Sequence, residues 1–564
     1  MNTSRPAAAH PPSSTPFVQE GPQLGNAYAR DELLRSYLRR KLPADLHSSL
    51  ERELSELGEL VAGPLLALQR ADRTNEPALT QWDAWGERID RIELTALWRE
   101  AERVAVRFGL TAIPYERRED EWSRTRQFAL AYLFHPVSDL YTCPLAMTDG
   151  AARALLDARN ARLIERALPH LTSRDPAQFW TSGQWMTEAS GGSDVGLSHT
   201  LARREPSGEW RLYGKKWFTS AATSQMALAL ARPEGNGPGG VGLALFYLET
   251  RDAEGRANGI RIERLKDKLG TRKLPTAEIA LEGTAAELVE GERYGTRAIE
   301  PMLAITRAWN SVCAAASMRH GLALAQDYAR RRIAFGAPLA SQPLHRETLG
   351  ELEAEAAGAF LLTFELIELL GREEAGLLAE EEAIILRFLT PLVKLATAKQ
   401  AVRVASEIVE AFGGAGYVED TGVAVLLRDA QVLPIWEGTT NVLALDALLR
   451  ANAEDALRGM ERRIAHTASE AGSGEPGRAA QAARDALQHA ARWRERTDDL
   501  ARLQAGARRF ALTVARALEL ALLAEHALAI GDAPEGAAVR EACRRLRRMG
   551  ADLIRDDEPG DDRP

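Results

Sequence analysis

Cysteine is scarce in this chain, and Cys143, Cys313 and Cys543 lie far apart in the sequence. Their separation fits neither a disulfide framework nor the paired spacing of a zinc site. The ten histidines show no HxxxH or HExxH spacing, so the common helical zinc-binding motif is absent as well. We therefore expect no bound metal and a reducing compartment, which we take to be the cytoplasm.

The chain also has little uncharged apolar sequence. Its most apolar late segment, 510–529, contains Arg516, Glu519, Glu525 and His526. Charges of this kind disfavour a membrane span and suit a helix within a bundle. The first residues do not have the pattern of a secretory signal. We therefore expect no membrane association.

Two common nucleotide-binding signatures are missing, and so is a strong charge of one sign. No Gly-rich loop of the Walker or Rossmann type follows a predicted strand. The 71 Lys plus Arg and 80 Asp plus Glu give a formal net charge of −9 over 564 residues, which argues against a chain-wide nucleic-acid surface. Because the chain is too long for one core, we expect about two to four domains.

Hydrophobic periodicity divides the chain. Apolar residues recur at three-to-four spacing over 28–180, which predicts an N-terminal helical domain. Short apolar runs bounded by Gly and Pro over 181–295 predict a small β-barrel or sandwich domain. Helical spacing returns over 296–458, and its short links are typical of an antiparallel four-helix bundle. The predicted bundle helices are about 297–333, 343–371, 379–412 and 440–458.

The ends of the chain and one internal stretch differ from these domains. Residues 1–27 are rich in Pro, Ala, Ser and Thr and are predicted to be disordered. A stretch rich in Gly, Ser and Glu predicts a linker over 459–478. Residues 479–564 predict an Arg- and Ala-rich helical extension that ends in an acidic tail. The predicted fold class is therefore α+β and multidomain.

The sequence LPIWEGTTN at 433–441 places one carboxylate, Glu437, between an apolar run and the start of a helix. Thr439 or Thr440 is a suitable N-cap, because a hydroxyl can accept a hydrogen bond from a first-turn amide. Apolar surroundings disfavour a charged carboxylate, whereas a helix N-terminus favours it. Glu437 can therefore serve as a general base, and a Glu that merely stabilises the helix start is the alternative interpretation.

Four other segments carry residue types that suit a nucleotide cofactor. Small residues in a loop let the backbone approach a flat ligand closely, and Arg binds a pyrophosphate through its bidentate fork. The segments are 186–195 (MTEASGGSDV), 214–220 (GKKWFTS), 328–336 (YARRRIAFG) and 412–417 (FGGAGY). Together with the Glu437 segment, they resemble the acyl-CoA dehydrogenase family of flavoproteins over about residues 75–450.

A closer resemblance is to the AidB-like branch of that family. Its marks are NxP at 75–77, WDxWGxRxD at 82–90, CPLxMT at 143–148 and a long tail after the catalytic domain. The family resemblance implies one FAD per chain and an acyl-CoA substrate. It also implies a homotetramer, in which a neighbouring subunit completes the flavin site, and an electron acceptor such as an electron-transfer flavoprotein.

The resemblance also assigns roles to individual residues. Glu437 matches the base that removes the α-proton of the substrate, and Arg307 matches a residue near the substrate. Some members place the base at the position of Thr306, but Thr cannot accept the proton, so Glu437 is the only candidate. Flavin contacts are implied for Met186, Thr187, Gly192, Ser193, Phe218, Thr219, Ser220, Arg332, Phe335, Gly413, Gly414, Thr439 and Asn441.

The implied function is FAD-dependent α,β-dehydrogenation of an acyl-CoA thioester, with an oxidase that passes electrons to oxygen as a variant. Two other functions stay open: a flavoprotein with weak turnover that binds fatty acyl-CoA, and a stress-associated flavoprotein that binds DNA. Residues 451–564 contain 19 Arg and no Lys against 20 Asp plus Glu. Interleaved acids are expected to pair with these Arg residues, which leaves at most weak, salt-sensitive DNA binding.

Overall fold

The computed structural model describes residues 19–252, 254–531 and 533–555. Most of the predicted disordered N-terminus and the acidic tail from residue 556 onward lie outside these ranges. Among the helices that the structure describes, none has the length and apolar content needed to cross a membrane.

The N-terminal domain is helical, as predicted, with one inserted hairpin. Its first helix follows Asp31, whose Oδ1 accepts a hydrogen bond from the Leu34 amide at 3.0 Å and so caps the helix. The helices are α1 (Glu32–Lys41), α2 (Ala44–Leu60), α3 (Leu66–Ala71), α4 (Ala96–Arg107), α5 (Ile113–Glu116), α6 (Ser123–Phe134), α7 (Thr142–Asp157) and α8 (Ala161–Leu171), with a π-helical turn at Val61–Leu65.

The hairpin consists of β1 (Ala78–Trp82) and β2 (Arg88–Glu93), which pair antiparallel. It differs from the uniformly helical prediction for 28–180. Asp83 Oδ1 accepts hydrogen bonds from the amides of Trp85 and Glu87, both at 2.8 Å, and Gly86 has a φ of 89°. This tight turn interrupts the helical pattern, because only glycine adopts such a backbone freely.

The middle domain is a closed β-structure. Its strands are β3 (Ser182–Trp185), β4 (Leu201–Arg204), β5 (Trp210–Ser220), β6 (Met226–Pro233), β7 (Ala244–Glu249), β8 (Ile260–Leu265) and β9 (Thr276–Leu288). Strand pairing runs β6–β4–β5–β9–β7 and returns from β7 to β6, while β3 adds to β6 and β8 adds to β9. The closure confirms the predicted β-barrel or sandwich.

The C-terminal bundle is built on three long helices that lie within a few residues of the predicted segments. The fourth helix ends at Leu449 instead of near 458, since Asn452 adopts a left-handed conformation with φ 48°. In chain order the elements are α9 (Gly295–Ala298), α10 (Glu300–Arg331), β10 (Ile333–Ala334), β11 (Ala337–Pro338), α11 (Pro343–Glu374), α12 (Glu380–Ala411), α13 (Gly414–Tyr417), α14 (Val423–Ala430) and α15 (Thr440–Leu449).

The extension consists of α16 (Ala453–Ala471), α17 (Glu475–Arg496), α18 (Leu500–Ile530) and α19 (Pro534–Met549). The linker predicted over 459–478 is wrong, because α16 and α17 occupy all of it except 472–474. Leu457, Met460 and Ile464 are buried at helical spacing, and this apolar stripe outweighs the polar composition of the segment. The extension packs on the bundle, where Gln400 of α12 donates a 2.8 Å hydrogen bond to Glu519 of α18.

Candidate active site

Glu437 lies on the turn that precedes α15, with a left-handed φ of 58°. Residues other than glycine seldom adopt this conformation, which costs about 1–3 kcal/mol, so surrounding contacts must hold it. Gly438 follows with a φ of 108°. Thr439 is the N-cap residue of α15, although its side chain makes no capping hydrogen bond. The candidate base therefore lies on a backbone that depends on its neighbours.

Lys394 supplies two of those contacts from the middle of α12, where its side chain is fully buried. Its Nζ donates hydrogen bonds to the carbonyl oxygens of Trp436 at 2.6 Å and Gly438 at 2.7 Å. These residues flank Glu437 on both sides. Burial lowers the pKa of Lys394 to about 7, with Glu437 opposing this shift and Arg307 adding to it. No motif in the sequence points to Lys394. Its one distinguishing feature is that a charged residue lies among the apolar residues of a bundle helix.

Two consecutive residues of α10 contact the same turn. The hydroxyl of Thr306 donates a 2.6 Å hydrogen bond to Oε2 of Glu437. The Nε of Arg307 donates a 3.1 Å hydrogen bond to the Glu437 carbonyl oxygen. Arg307 therefore lies at the base, and Thr306, which cannot itself accept the proton, is a hydrogen-bond donor to the base.

Cys143 and Lys268 form another part of the surroundings. Burial raises the pKa of the Cys143 thiol above its usual range, and Glu437 raises it further, so Cys143 is a neutral thiol without nucleophilic character. Lys268 donates hydrogen bonds to two backbone carbonyls at 2.7 Å and to Thr276 Oγ1 at 3.0 Å. Burial lowers the pKa of Lys268 to about 8. These contacts stabilise the loop before β9, and the Thr271 amide of that loop donates a 2.6 Å hydrogen bond to Asp429 Oδ1 of the bundle.

The end of β5 lies next to Lys268. Ser220 Oγ is 3.2 Å from Thr276 Oγ1, the atom that Lys268 also contacts. Thr219 is buried and donates to the Ala277 carbonyl at 2.5 Å, so its hydroxyl is used within the barrel. The side chain of Phe218 is 51% exposed. Of these three predicted flavin residues, Phe218 and Ser220 therefore stay accessible to a ligand.

A buried ion pair anchors the loop at 186–193 to β5. Lys216 Nζ lies 2.8 Å from Glu188 Oε1, and both side chains are almost completely buried. The Thr187 carbonyl accepts a 2.9 Å hydrogen bond from the Trp217 amide. A Cβ atom on Gly192 would lie 2.7 Å from Thr187 Oγ1, so a larger residue there would force the Thr187 side chain to move. Met186 and Thr187 are half-buried, while Gly192 and Ser193 are exposed.

Four of the predicted flavin residues lie at the opposite end of the bundle. Thr306 and Arg331 are 25 residues apart on the continuous helix α10, or roughly 38 Å along its axis. The ring of Tyr328 near the far end stacks on Phe412 with centroids 4.4 Å apart. Within one chain, the structure therefore does not bring this set to Glu437. The four residues are Arg332, Phe335, Gly413 and Gly414.

Three family models match consecutive parts of the chain. The N-terminal domain of the adaptive response protein AidB matches residues 20–176. The middle domain of acyl-CoA dehydrogenases matches 183–284, and their C-terminal domain matches 293–451. Acyl-CoA dehydrogenase family member 11 of Caenorhabditis elegans is 41% identical over 530 residues, which cover 91% of this chain and 86% of that protein.

The chain belongs to the acyl-CoA dehydrogenase family. Putative acyl-CoA dehydrogenase AidB of Escherichia coli is 31% identical over 410 residues, which cover 71% of this chain and 74% of that protein. With the AidB N-terminal model, this relative confirms the AidB-like branch. The crystal structure of Caenorhabditis elegans ACDH-11 in complex with C11-CoA has a TM-score of 0.91 and 38% identity, and covers 98% of this chain and 96% of that chain.

The residues at the two ends of the bundle fit the two parts of a flavin dinucleotide. At the end of β5, in the loop at 186–193 and at the start of α15, the chain offers an exposed ring at Phe218, hydroxyls at Thr187 and Ser220, and the exposed amide of Asn441. Such groups suit a flat ring with a hydrogen-bonding edge. At the far end, Phe335 is 98% exposed on the turn between β10 and β11, next to Arg332. An Arg beside glycine-rich backbone suits a pyrophosphate.

Proposed function

We propose that this protein is a FAD-dependent dehydrogenase of acyl-CoA thioesters, with Glu437 as the base that removes the α-proton. The observation that carries the proposal is the turn of Glu437: Thr306 holds its carboxylate, and Arg307 and Lys394 hold the backbone on which it lies. Four hydrogen bonds hold this strained turn. A glutamate that only stabilised the start of a helix would not need them, so the arrangement favours a catalytic base. A preorganised base of this kind contributes about 10²- to 10⁴-fold to a rate.

The hydrogen bonds also distinguish the two carboxylate oxygens of Glu437. Oε2 accepts the hydroxyl of Thr306 at 2.6 Å, which leaves Oε1 to take the α-proton from the substrate. When bound, FAD would accept the hydride that leaves the β-carbon. The N-terminus of α15 places unpaired backbone N–H groups beside the same turn, where negative charge develops on the thioester as the proton leaves.

Residues of the barrel and of α7 complete the proposed site. Thr187, Phe218 and Ser220 would hold the flavin ring, and Asn441 would contact it from the bundle. Cys143 is a neutral thiol and adds a wall with little polarity beside Glu437. Exclusion of water on that side strengthens the electrostatic contacts of the base.

We further propose a homotetramer in which a neighbouring subunit completes each dinucleotide site. The support is the roughly 38 Å that separates the Glu437 end of α10 from Arg331, since Arg332, Phe335, Gly413 and Gly414 cannot then serve the flavin ring of their own chain. An acyl-CoA substrate is supported by the ACDH-11 structure, which is a complex with C11-CoA. An electron-transfer flavoprotein is the proposed electron acceptor.

Spectroscopy of the purified protein tests the proposal. We expect a yellow protein with about one FAD per chain, whose flavin absorbance bleaches when an acyl-CoA is added without oxygen. A panel of acyl-CoA thioesters from short to long chains would identify the substrate. A protein that takes up no FAD, or a bound flavin that no thioester of the panel reduces, would contradict the proposal.

A further inference from the structure

A cavity of about 1200 Å³ lies between the segment 19–30, the helices around Val61–Ala71 and one face of α10. Neither Glu437 nor its contacts Thr306, Arg307 and Lys394 line it, although Lys268 does. Its volume exceeds the roughly 300–1,000 Å³ of common small-molecule sites. Much of the wall is apolar, from Leu24, Val61, Leu66, Val137 and Leu324.

Arg30 brings to this wall a guanidinium that forms no ion pair with the described residues. Within the described part of the chain, its side chain makes no hydrogen bond and no ion pair, and its Nε is buried without a partner. Burial lowers the pKa of Arg30, and the charge of Asp31 opposes this shift only in part, as expected for a buried cation without an ion pair. The nearest acid in sequence, Asp31, already accepts hydrogen bonds from the Leu34 amide at 3.0 Å and from the Tyr132 hydroxyl at 3.1 Å.

His320 is the second side chain with unused hydrogen-bonding capacity at the cavity. Its Nδ1 is buried without a partner. Burial, Arg30 and His135 together lower the pKa of His320 to about 3, so the ring is neutral and has one N–H donor. His135 also lines the cavity, but its ring nitrogens contact Thr142 at 2.8 Å and Ser317 at 3.0 Å.

We propose that this cavity binds a long aliphatic chain that ends in a carboxylate, with the carboxylate at Arg30 and His320. A guanidinium pairs with a carboxylate through two parallel hydrogen bonds, and the imidazole N–H of His320 can add a third. An unpaired buried charge costs free energy. A ligand that supplies the counterion removes this cost, which favours its binding. The apolar wall then holds the chain by burial.

Such a carboxylate could come from two sources. One is a free long-chain fatty acid. The other is the far end of an acyl-CoA that carries a second carboxylate, and this source rests on the function proposed above. Thr306 and His320 are 14 residues apart on α10, or roughly 21 Å along its axis, a distance that a long acyl chain can cover.

Calorimetric titration of the purified protein with palmitate and with hexadecanol tests the shared chemistry. We expect palmitate to bind, Arg30→Gln to weaken it by about tenfold or more, and Ala62→Phe, which places a bulky ring at the cavity wall, to weaken it as well. Hexadecanol lacks the carboxylate and should be insensitive to Arg30→Gln. Arg52→Gln, at an exposed position of α2 outside the cavity, is the matched control and should bind palmitate normally.

Circular dichroism and thermal melting would verify that the variants fold. Glu437→Gln should bind palmitate as the wild type does, so a failure of the proposed dehydrogenation would not affect this result. Palmitate affinity equal to that of hexadecanol, or unchanged in Arg30→Gln and Ala62→Phe, would overturn the proposal unless the thioester titration below shows the Arg30 dependence.

A second titration compares hexadecanedioyl-CoA with palmitoyl-CoA and identifies the source. Tighter binding of hexadecanedioyl-CoA by about tenfold, lost in Arg30→Gln, would assign the carboxylate to the far end of the substrate. Equal binding of the two thioesters, together with Arg30-dependent palmitate binding, would assign it to a free fatty acid. If neither titration depends on Arg30, the proposal is wrong.

Discussion

Thr306 and Glu437 are joined by a 2.6 Å hydrogen bond from Oγ1 to Oε2, across 131 residues of sequence. The bond connects the long helix α10 to the turn that precedes α15. Because one carboxylate oxygen is engaged, the orientation of the other is fixed relative to α10. The same helix carries Arg307, so one rigid element positions the base both through its side chain and through its backbone.

Removing the hydroxyl of Thr306 should slow the reaction without disturbing the fold. Valine has nearly the same shape, but it leaves Oε2 of Glu437 without its donor. A hydrogen bond to a charged group contributes about 1.5–3 kcal/mol, so Thr306→Val should slow flavin bleaching by about tenfold or more. Thr306→Ser keeps the donor and should stay near the wild-type rate. Equal rates for the Val and Ser variants would show that the bond does not orient the base.

Lys394 should control both stability and rate, because it holds the carbonyl groups on both sides of Glu437. Lys394→Met leaves two buried carbonyls without donors, at about 1–3 kcal/mol each, and frees the turn from its left-handed conformation. We expect a lower melting temperature and a kcat reduced more than the KM for acyl-CoA is changed. Lys399→Met, on the same helix, is the matched control. A variant at 394 that matches this control in both measurements would contradict a positioning role.

Glu519 should make the stability of the protein depend on pH. Burial raises the pKa of this carboxyl to about 8, and only Arg516 and the hydrogen bond from Gln400 oppose the shift. Between the unfolded pKa near 4.3 and about 8, the unfolded chain releases a proton that the folded protein keeps, so stability falls as pH rises through this window.

Glu519→Gln should remove that dependence. We expect the variant to melt at a higher temperature than the wild type at pH 8, and the difference to shrink toward pH 5. Glu290→Gln, at an exposed position, should show no such trend. A difference that stays constant from pH 5 to pH 8 would mean that Glu519 is ionised in the folded protein throughout.

The Arg-rich extension should bind DNA weakly at most. Three of the four Arg residues in its densest cluster form ion pairs: Arg545 lies 2.9 Å from Glu347, Arg547 lies 2.8 Å from Glu475, and Arg544 pairs with Glu541. Cations that already have counterions gain little from phosphates. Fluorescence anisotropy with a duplex of about 30 base pairs should show weak binding that disappears at moderate salt.

The matching variant changes Arg544, Arg545, Arg547 and Arg548 to Ala. It should bind the duplex about as weakly as the wild type. Sub-micromolar affinity that survives moderate salt and is lost in this variant would instead support a DNA-associated function.

Local sequence patterns predicted the order of the helical, β and bundle regions, because each region buries its apolar residues at the spacing of its own secondary structure. Two local features escaped. The β1–β2 hairpin depends on the Asp83 hydrogen bonds and on Gly86. The α16 helix was not predicted, because its segment is mostly polar and its apolar stripe consists of only Leu457, Met460 and Ile464.

The motifs drew attention to Glu437 and to the barrel residues, whereas the supporting contacts did not appear in any pattern. Lys394 bonds to backbone carbonyls that are 42 and 44 residues away, and a carbonyl leaves no mark in the sequence. Arg30 is notable only because the folded chain gives it no partner among the described residues. Neither a contact with a backbone carbonyl nor the absence of a contact can be recognised without the tertiary structure.

Whether Glu437 removes the α-proton can be measured as the rate at which acyl-CoA bleaches the flavin of Glu437→Gln without oxygen. Gln keeps the shape of the side chain and can still accept the Thr306 hydrogen bond, but it cannot take up a proton. We expect a variant with normal FAD content and melting temperature whose flavin bleaches at least about 10²-fold more slowly than the wild type. Bleaching at the wild-type rate would contradict it.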